Sequence, residues 1–410
     1  MFNLILGELR SGRRLVAVPV AEGDFQIASG DAGSMTVSIP LTAAEFKRLE
    51  RSTSDSQFPG AGLFPSPQTF PQGAVVRWRP GLGHRSDIAV TTEPTRVFMA
   101  ILAGDRVIEA GPVWFRSEDE EGRLTLRGSG LRSMFDHRLL LSQLVAWHEA
   151  GAVATSSLSW SGLSLGTIAK RLVQEVLGHA GGDLPIVLPP DEIGVHERNY
   201  PGSELATAAQ RLRELSEVEG GPEIAFEPRL TADRMGVEWV MRVGTTANPM
   251  LHQAGLDWVL DTSAPRGPVA AFTVSEDASS VVTRAFAKGS GTDEATLISR
   301  PATRGDLIAT GFPLLESARS YTNVLEQPTI DSHAAADLAG NDRPWQTWTL
   351  RVRADSRVGQ YRPGDWWSIR VGPGRVLVEP GVHRARCASI RGRFGDEFVD
   401  LSMVPMEVAG

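Results

Sequence analysis

Carboxylates are the one catalytic raw material present in quantity, with 49 Asp and Glu residues. A glycosidase needs two of them across a sugar-binding cleft, one protonated and one serving as base or nucleophile. Glu118, Asp119, Glu120 and Glu121 stand in a row. Their position reads as a hairpin turn, where water solvates all four and nothing raises the pKa of an acid, so a charged turn is the preferred reading. The eight histidines, at 84, 137, 148, 179, 196, 252, 333 and 383, never fall at metal-ligand spacing. His148-Glu149 opens a zincin-like string, but no second histidine follows four positions on. The three lysines, Lys47, Lys170 and Lys288, are not preceded by glycine, which removes the phosphate-binding GxxxxGK[ST] loop. Gly81-x-Gly83 and Gly289-x-Gly291 lack the third glycine of a dinucleotide fingerprint, and no GxSxG elbow occurs. Cys387, the only cysteine, cannot make an internal disulfide and reads as a small buried side chain rather than a nucleophile. Ten tryptophans, at 78, 114, 147, 160, 239, 258, 345, 348, 366 and 367, could stack sugars. Their scatter through every segment reads instead as core and interface packing. No catalytic, cofactor-binding or metal-ligating residue is assigned on these grounds.

The elements that would have to position any site are mostly strands. Phe2–Leu6, Leu15–Val20 and Met35–Leu41 are short apolar or alternating runs. Thr42-Ala-Ala-Glu45 has capping-box spacing and predicts a short helix over 43–51. Residues 57–84 are dense in proline and glycine, with Pro59, Pro65, Pro67, Pro71 and Pro80, and read as an extended loop. Phe58, Phe64 and Phe70 would pin that loop to its own domain or dock it onto a neighbouring subunit. Strands resume at Arg96–Leu102, Arg106–Phe115 and Arg123–Ser129, the last two forming a hairpin about the acidic turn. Ile168, Leu172, Val173, Val176 and Leu177 recur at helical spacing and stop at Gly178. A second helix is expected from Ser203 as N-cap, carrying Leu205, Ala209, Leu212 and Leu215 and ending at Gly220-Gly221. Strands follow at Glu223–Pro228, Gly236–Val243, Val269–Val274, Ser280–Gly289 and Thr296–Ile298, then a short helix over Asp331–Ala339 capped by Asp331. Clean alternation returns in Trp348–Arg353, Trp367–Val371 and Phe398–Met403. A weak echo links Glu109-Ala-Gly-Pro112 with Glu379-Pro-Gly-Val382, each preceding a strand.

Composition narrows the class. At 410 residues the chain suggests two to four domains and can bury a core without metal or disulfide staples. The 41% hydrophobic and 22% charged content is globular rather than disordered. With 42 Gly and 26 Pro, about one residue in six is a turn former, which fits many short strands. A formal charge of −8 without a basic block argues against a sequence-reading nucleic-acid binder. The N-terminus places its apolar run before its charges, so no signal peptide is expected, and no apolar stretch approaches a membrane span.

Several short motifs then run in one order along the chain: Leu9-Arg-Ser-Gly-Arg13, Val18-Pro-Val20, Gly33–Leu41, Ile108-Glu-Ala-Gly-Pro-Val-Trp114, Leu124-Thr-Leu126 and Phe135-Asp-His-Arg138. They continue with Glu217-Val-Glu-Gly-Gly-Pro-Glu223, Val237-Glu-Trp-Val240, Tyr361-Arg-Pro-Gly-Asp365 and Gly381-Val-His-Arg-Ala-Arg386. The set resembles the minor tail proteins of actinobacteriophage siphoviruses that form the tail-tip, or baseplate, hub. The resemblance implies a predominantly antiparallel α+β fold, with two small β-barrel-like ring domains, an α+β domain and a C-terminal β domain. On that reading residues 1–141 are the N-terminal hub domain, 142–255 the α+β domain, 256–344 a second β hub region and 345–410 the C-terminal β domain. It further implies a structural, non-enzymatic homotrimer in the virion tail tip, made in the host cytoplasm. Its partners would be the distal tail protein, the tape measure protein and other tip proteins, with DNA as non-specific cargo through the lumen and no stable membrane association. No cofactor is implied. Arginine and tryptophan being common interface anchors, Trp114, Arg138 and Trp366 are the candidate subunit-interface residues. Two other classes stay open: a carbohydrate- or receptor-binding tail protein, and a cell-wall glycan hydrolase.

Overall fold

Period-two runs build the first strands of the computed structural model, which describes residues 2–40 and 91–406 less 19, 21, 147, 219, 292, 322–323 and 355–356. The helix expected at 43–51 and the Pro/Gly loop at 57–84 lie outside the described residues. Strands β1 (Phe2–Glu8), β2 (Arg14–Val18), β3 (Glu22–Ala28) and β4 (Ser34–Pro40) are followed by β5 (Val97–Ala103), β6 (Arg106–Glu118) and β7 (Arg123–Gly128). A 3-10 turn at Leu131–His137 leads to α1 (Ala152–Thr155), β8 (Ser157–Leu163), α2 (Leu165–Leu177), β9 (Ile186–Val187), β10 (Ile193–Pro201), α3 (Ala208–Glu217), β11 (Ile224–Leu230) and β12 (Val237–Val243). Then come β13 (Trp258–Asp261), β14 (Val269–Asp277), β15 (Arg284–Lys288), β16 (Ala302–Thr303), α4 (Gly305–Ala309), β17 (Glu316–Ser320) and α5 (Gln327–Ala339). The chain closes with β18 (Trp345–Arg353), β19 (Trp366–Val371), β20 (Gly381–Arg393) and β21 (Phe398–Pro405).

The fold is α+β and mainly antiparallel. Its largest sheet runs β14-β18-β21-β20-β3-β4-β7-β6-β5-β1-β2, with β19 joined to β20 and β13 to β19. The barrel-like ring domains are not found: none of the described sheets closes. The reason is visible at β2. Its outer edge meets the start of β12, where the Arg14 amide donates to the Met235 carbonyl (3.0 Å) and the Val237 amide to the Gly12 carbonyl (2.8 Å). Gly12 permits that approach, because it sits at φ 70° and a Cβ there would stand 2.2 Å from the Val237 oxygen. At the other side β20 pairs with β3, from Ser389 opposite Ala28 to Arg393 opposite Asp24, so the two ends of the chain share one sheet.

The chain forms two compact units: Met1–Phe272 with Leu350–Arg375 and Glu379–Gly410, and Thr273–Thr349 with Val376–Val378. In the first, α2 and α3 pack into a core with Phe98, Phe135, Phe226 and Trp239. Helix α2 forms because Ser164 holds extended dihedrals and its Oγ accepts the Thr167 amide at 3.1 Å, while Leu165, Ile168, Leu172 and Val176 line one buried face. Trp239 is fully buried, meets Phe98 edge-on at 5.6 Å and donates its indole N–H to the Ala110 carbonyl at 3.0 Å. Burying apolar side chains of this size stabilises the fold by roughly 2–3 kcal/mol each. In the second unit, β16, β15 and β17 form a sheet against which α5 packs through Ile330, Ala334 and Leu338.

Two helix starts differ from the sequence reading. Helix α3 begins at Ala208 with Thr207 as cap, not at Ser203, because Leu205 occupies the left-handed region (φ 47°) and cannot belong to a helix. Helix α5 begins at Gln327, with proline in its first turn, and Asp331 lies inside it. The Asp331 carboxylate is spent on a loop, accepting the Arg300 amide at 2.7 Å. Residues 296–298 are not a strand; Ile298 makes only an isolated bridge to Lys288.

Candidate interface and arginine seam

Three arginines tie distant stretches of the first unit together. Arg386, on β20, grips both oxygens of Glu223 at 2.6 and 2.5 Å, and also donates to the Leu251 and Gly364 carbonyls at 2.8 and 2.9 Å. Arg362, in the turn before β19, donates to the Ile108 and Val107 carbonyls of β6 at 2.7 and 2.9 Å. Arg242, on β12, pairs with Glu227 on β11 at 2.7 Å and donates to the His252 carbonyl at 3.2 Å. Planar guanidinium forks suit such multi-acceptor sites, where a lysine would satisfy fewer partners. Asp365 completes the turn, accepting the Arg362 amide at 2.9 Å and the Trp258 indole N–H at 3.0 Å, and burial raises its pKa.

These groups surround a cavity of about 70 Å³ whose lining includes Asp31, Glu109, Arg132, Glu223, Arg242, Arg362 and Asp365. Glu109 is buried, its Oε1 accepting the Ala110 amide at 2.8 Å. Burial pushes its carboxyl up to about 8, against the lowering effects of that amide and of the Arg362 cation. A protonated acid beside carboxylates has the composition of a hydrolytic pair. The cavity, however, is far below the 300–1,000 Å³ of ordinary ligand pockets, and Glu223 and Glu227 are each held by an arginine. Its chemistry is that of a polar weld. Sequence motifs far apart in the chain, at 108–114, 217–223, 361–365 and 381–386, converge here. Their co-linear order was visible in the sequence, whereas the individual roles of Glu109, Arg362 and Arg386 were not, because each depends on a partner more than 100 residues away.

The three candidate interface residues lie apart from one another in function. Trp114 is half-buried on β6, donates its indole N–H to Ser133 Oγ at 2.9 Å and lies 4.6 Å from the His137 ring. Arg138 donates to the carbonyls of Val176 and Gly182, capping the C-terminal end of α2. Trp366 is half-buried on β19 beneath Arg384, whose guanidinium carbon lies 4.4 Å from the ring centroid and whose Nε reaches Asp257 at 2.7 Å. Only Trp366 borders the seam, since Arg386 also stands 5.8 Å from its ring.

The remaining sequence candidates resolve into local roles. Asp119 shapes the β6–β7 turn by accepting the amides of Glu121 and Arg123 at 3.0 and 2.8 Å, and the residues around it are exposed. His148 and Glu149 form an exposed contact of 3.8 Å, and among the described residues no three His, Cys, Asp or Glu side chains could hold a metal ion. Cys387 is buried and its thiol pKa is raised by that burial. No helix among the described residues is long and apolar enough to cross a membrane.

No protein-family model matches the chain, and no curated protein matches it in sequence. Solved structures do match in fold. The 43 kDa tail protein of prophage MuSo2 from Shewanella oneidensis is similar over 98% of both chains, with a TM-score of 0.54 at 11% identity. A tail protein from Neisseria meningitidis MC58 aligns with 99% of this chain and 96% of its own, at TM-score 0.48 and 10% identity. The prophage tail protein gp18 from Listeria monocytogenes EGD-e aligns with 100% and 95%, at TM-score 0.45 and 8% identity. The chain thus has, end to end, the fold of a phage tail protein.

Proposed function

We propose that this chain is a structural virion protein of a phage tail tip, a hub subunit that joins the tail tube and distal tail protein to the tip and lets DNA pass. The observation that carries this reading is the likeness in fold to the Shewanella tail protein across 98% of both chains. The co-linear motifs support it from the sequence side, and their convergence on one polar seam gives them a structural purpose. The working unit in this reading is a homotrimer in the tail tip, synthesised in the host cytoplasm. Its neighbours are the distal tail protein, the tape measure protein and other tip components. Trp114, Arg138 and Trp366 remain the proposed interface residues; the Trp114 indole N–H and the Arg138 guanidinium are hydrogen-bonded within the chain and Trp366 lies beneath Arg384, leaving partly open ring and stem surface for a neighbour to cover. A charge of −8 per subunit suits a lumen wall that repels phosphate and so does not retain DNA.

Imaging of the assembled virion tests the proposal. Threefold density for this chain at the tail tip is the expected result. A different stoichiometry, or a location away from the tip, overturns it, and a basic lumen wall in the assembled ring would overturn the charge argument.

A further inference from the structure

A second concavity lies on the first unit, away from the seam. Its volume is about 390 Å³, within the range of small-molecule sites, and it is lined by Gln143, Trp160, Leu163, Arg171, Gln174 and Glu175. We propose that it is a binding site for a neutral carbohydrate, with the indole of Trp160 as the stacking platform.

The platform is rigid. Trp160 belongs to β8, half-buried, with part of its surface packed on the core and Tyr200 behind it at a ring distance of 5.9 Å. Strand β8 pairs with β10 as a two-stranded ribbon, Trp160 opposite Arg198, which fixes the ring relative to α2 without a loop in between. Trp160 is only half-buried, so part of its indole stays open to solvent.

The surrounding groups form a short polar row held in place by one another. The Gln143 amide N–H₂ donates to the Glu175 carbonyl at 3.1 Å, and the Gln143 backbone amide to Glu175 Oε1 at 2.7 Å. Gln174 accepts from Arg171 at 3.0 Å through its Oε1, which orients its own N–H₂ without using it. Side-chain amides and a carboxylate oxygen next to an aromatic face match a pyranose, whose ring C–H groups stack while adjacent hydroxyls both donate and accept. The charges disfavour other ligands. Arg171 is neutralised by Asp191, which also pairs with Lys170, and Glu175 brings a carboxylate to the wall, so a phosphate or nucleic acid gains no free cation. Trp160 and Leu163 are the two apolar residues among the six that line it.

Saturation-transfer NMR on the full chain, with cellotetraose and fully N-acetylated chitotetraose as probes, tests the site. Both carry equatorial substituents that leave flat C–H faces. Saturable transfer to ring protons of at least one probe is expected, with a Kd on the order of 1 mM. Trp160→Ala should abolish it, and Gln174→Ala, at an exposed helical position that tolerates alanine, should weaken it by roughly tenfold, the worth of one or two hydrogen bonds. Trp345→Ala, removing an exposed tryptophan of the other unit, should leave binding unchanged. Circular dichroism verifies the fold of each variant. If Trp160→Ala does not fold, the Gln174→Ala result decides. Absence of saturable binding by both probes overturns the proposal, as does wild-type binding by either folded groove variant.

Discussion

Glu109 shows what burial costs one residue. Its carboxyl, with an ordinary pKa near 4.5, is raised to about 8 by burial. Below pH 4.5 the group is protonated in both folded and unfolded chains and contributes no pH dependence. Between pH 4.5 and 8 the unfolded chain releases the proton while the folded chain keeps it, so stability falls as pH rises; above 8 the full penalty is present. Glu109→Gln removes the titration. The unfolding free energy of the variant, read from its urea midpoint, should therefore gain on that of the parent chain across this window, by on the order of a few kcal/mol at its upper end. Parallel midpoint curves for the two proteins from pH 5 to 8.5 would show that Glu109 is ionised, or solvated, in the folded state. The neighbouring arginines matter to the size of the effect, because Arg362 is the cation that opposes burial and Arg132, Arg242 and His252 face the same cavity.

At the scale of elements, caps decide where helices begin. Thr207 accepts the Gln210 amide at 3.2 Å, whereas Ser203 is exposed in the preceding 3-10 turn and caps nothing. Thr207→Ala should cost about 1 kcal/mol in denaturant unfolding, and Ser203→Ala less than about 0.5 kcal/mol. Equal costs, or the reverse order, would return the start of α3 to Ser203. The same contrast shows what a sequence makes legible. Helix α2 could be read in its body and at its end, because its apolar spacing and its stop at Gly178 are local signals, whereas its Ser164 cap was not singled out. The β6–β7 hairpin was readable for the same reason, and the weak echo acquires a meaning in the sheet, where the β6–β7 and β20–β21 pairs flank the β3–β4 pair on either side. The β8–β10 ribbon was missed although Leu158 and Trp160 alternate with Ser157, Ser159 and Ser161, since serine and glycine at that density imitate a loop. The open sheets were missed because closure is decided by what meets an edge. Gly12 meeting Val237 is a contact across more than 200 residues that no local pattern encodes. The seam follows the same rule: its motifs stood out, but a motif does not name its partner.

At the scale of the whole molecule, the two units are unequally equipped. The first holds a continuous core of large side chains, with Trp239, Phe98 and Phe135 almost wholly excluded from water. Among the described residues the second holds two small clusters, Val282, Ala285 and Leu338 in one and Ala287, Ile330 and Ala334 in the other, and a buried tryptophan, Trp348. Alanines bury little apolar area, so each cluster returns little stability for the backbone it orders. Its buried carboxylate, Asp337, is held by the Tyr321 hydroxyl at 2.8 and 2.9 Å and by Arg319 at 3.2 Å, which specifies a geometry more than it adds stability. A chain built this way should not unfold in a single step. Hydrogen exchange followed by mass spectrometry in rising urea is expected to expose peptides from β15 and α5 well before those from β5 and α2. Coincident loss of protection in all four would mean that the second unit borrows its stability from the first. The ordering also bears on assembly. A unit that opens first in the isolated chain is the one whose stability gains most, in proportion, from any neighbour that binds only its folded form. If the chain sits in a tail tip as proposed, a neighbour bound to the second unit should therefore narrow the gap between the two transitions, and the same exchange experiment on intact virions measures it.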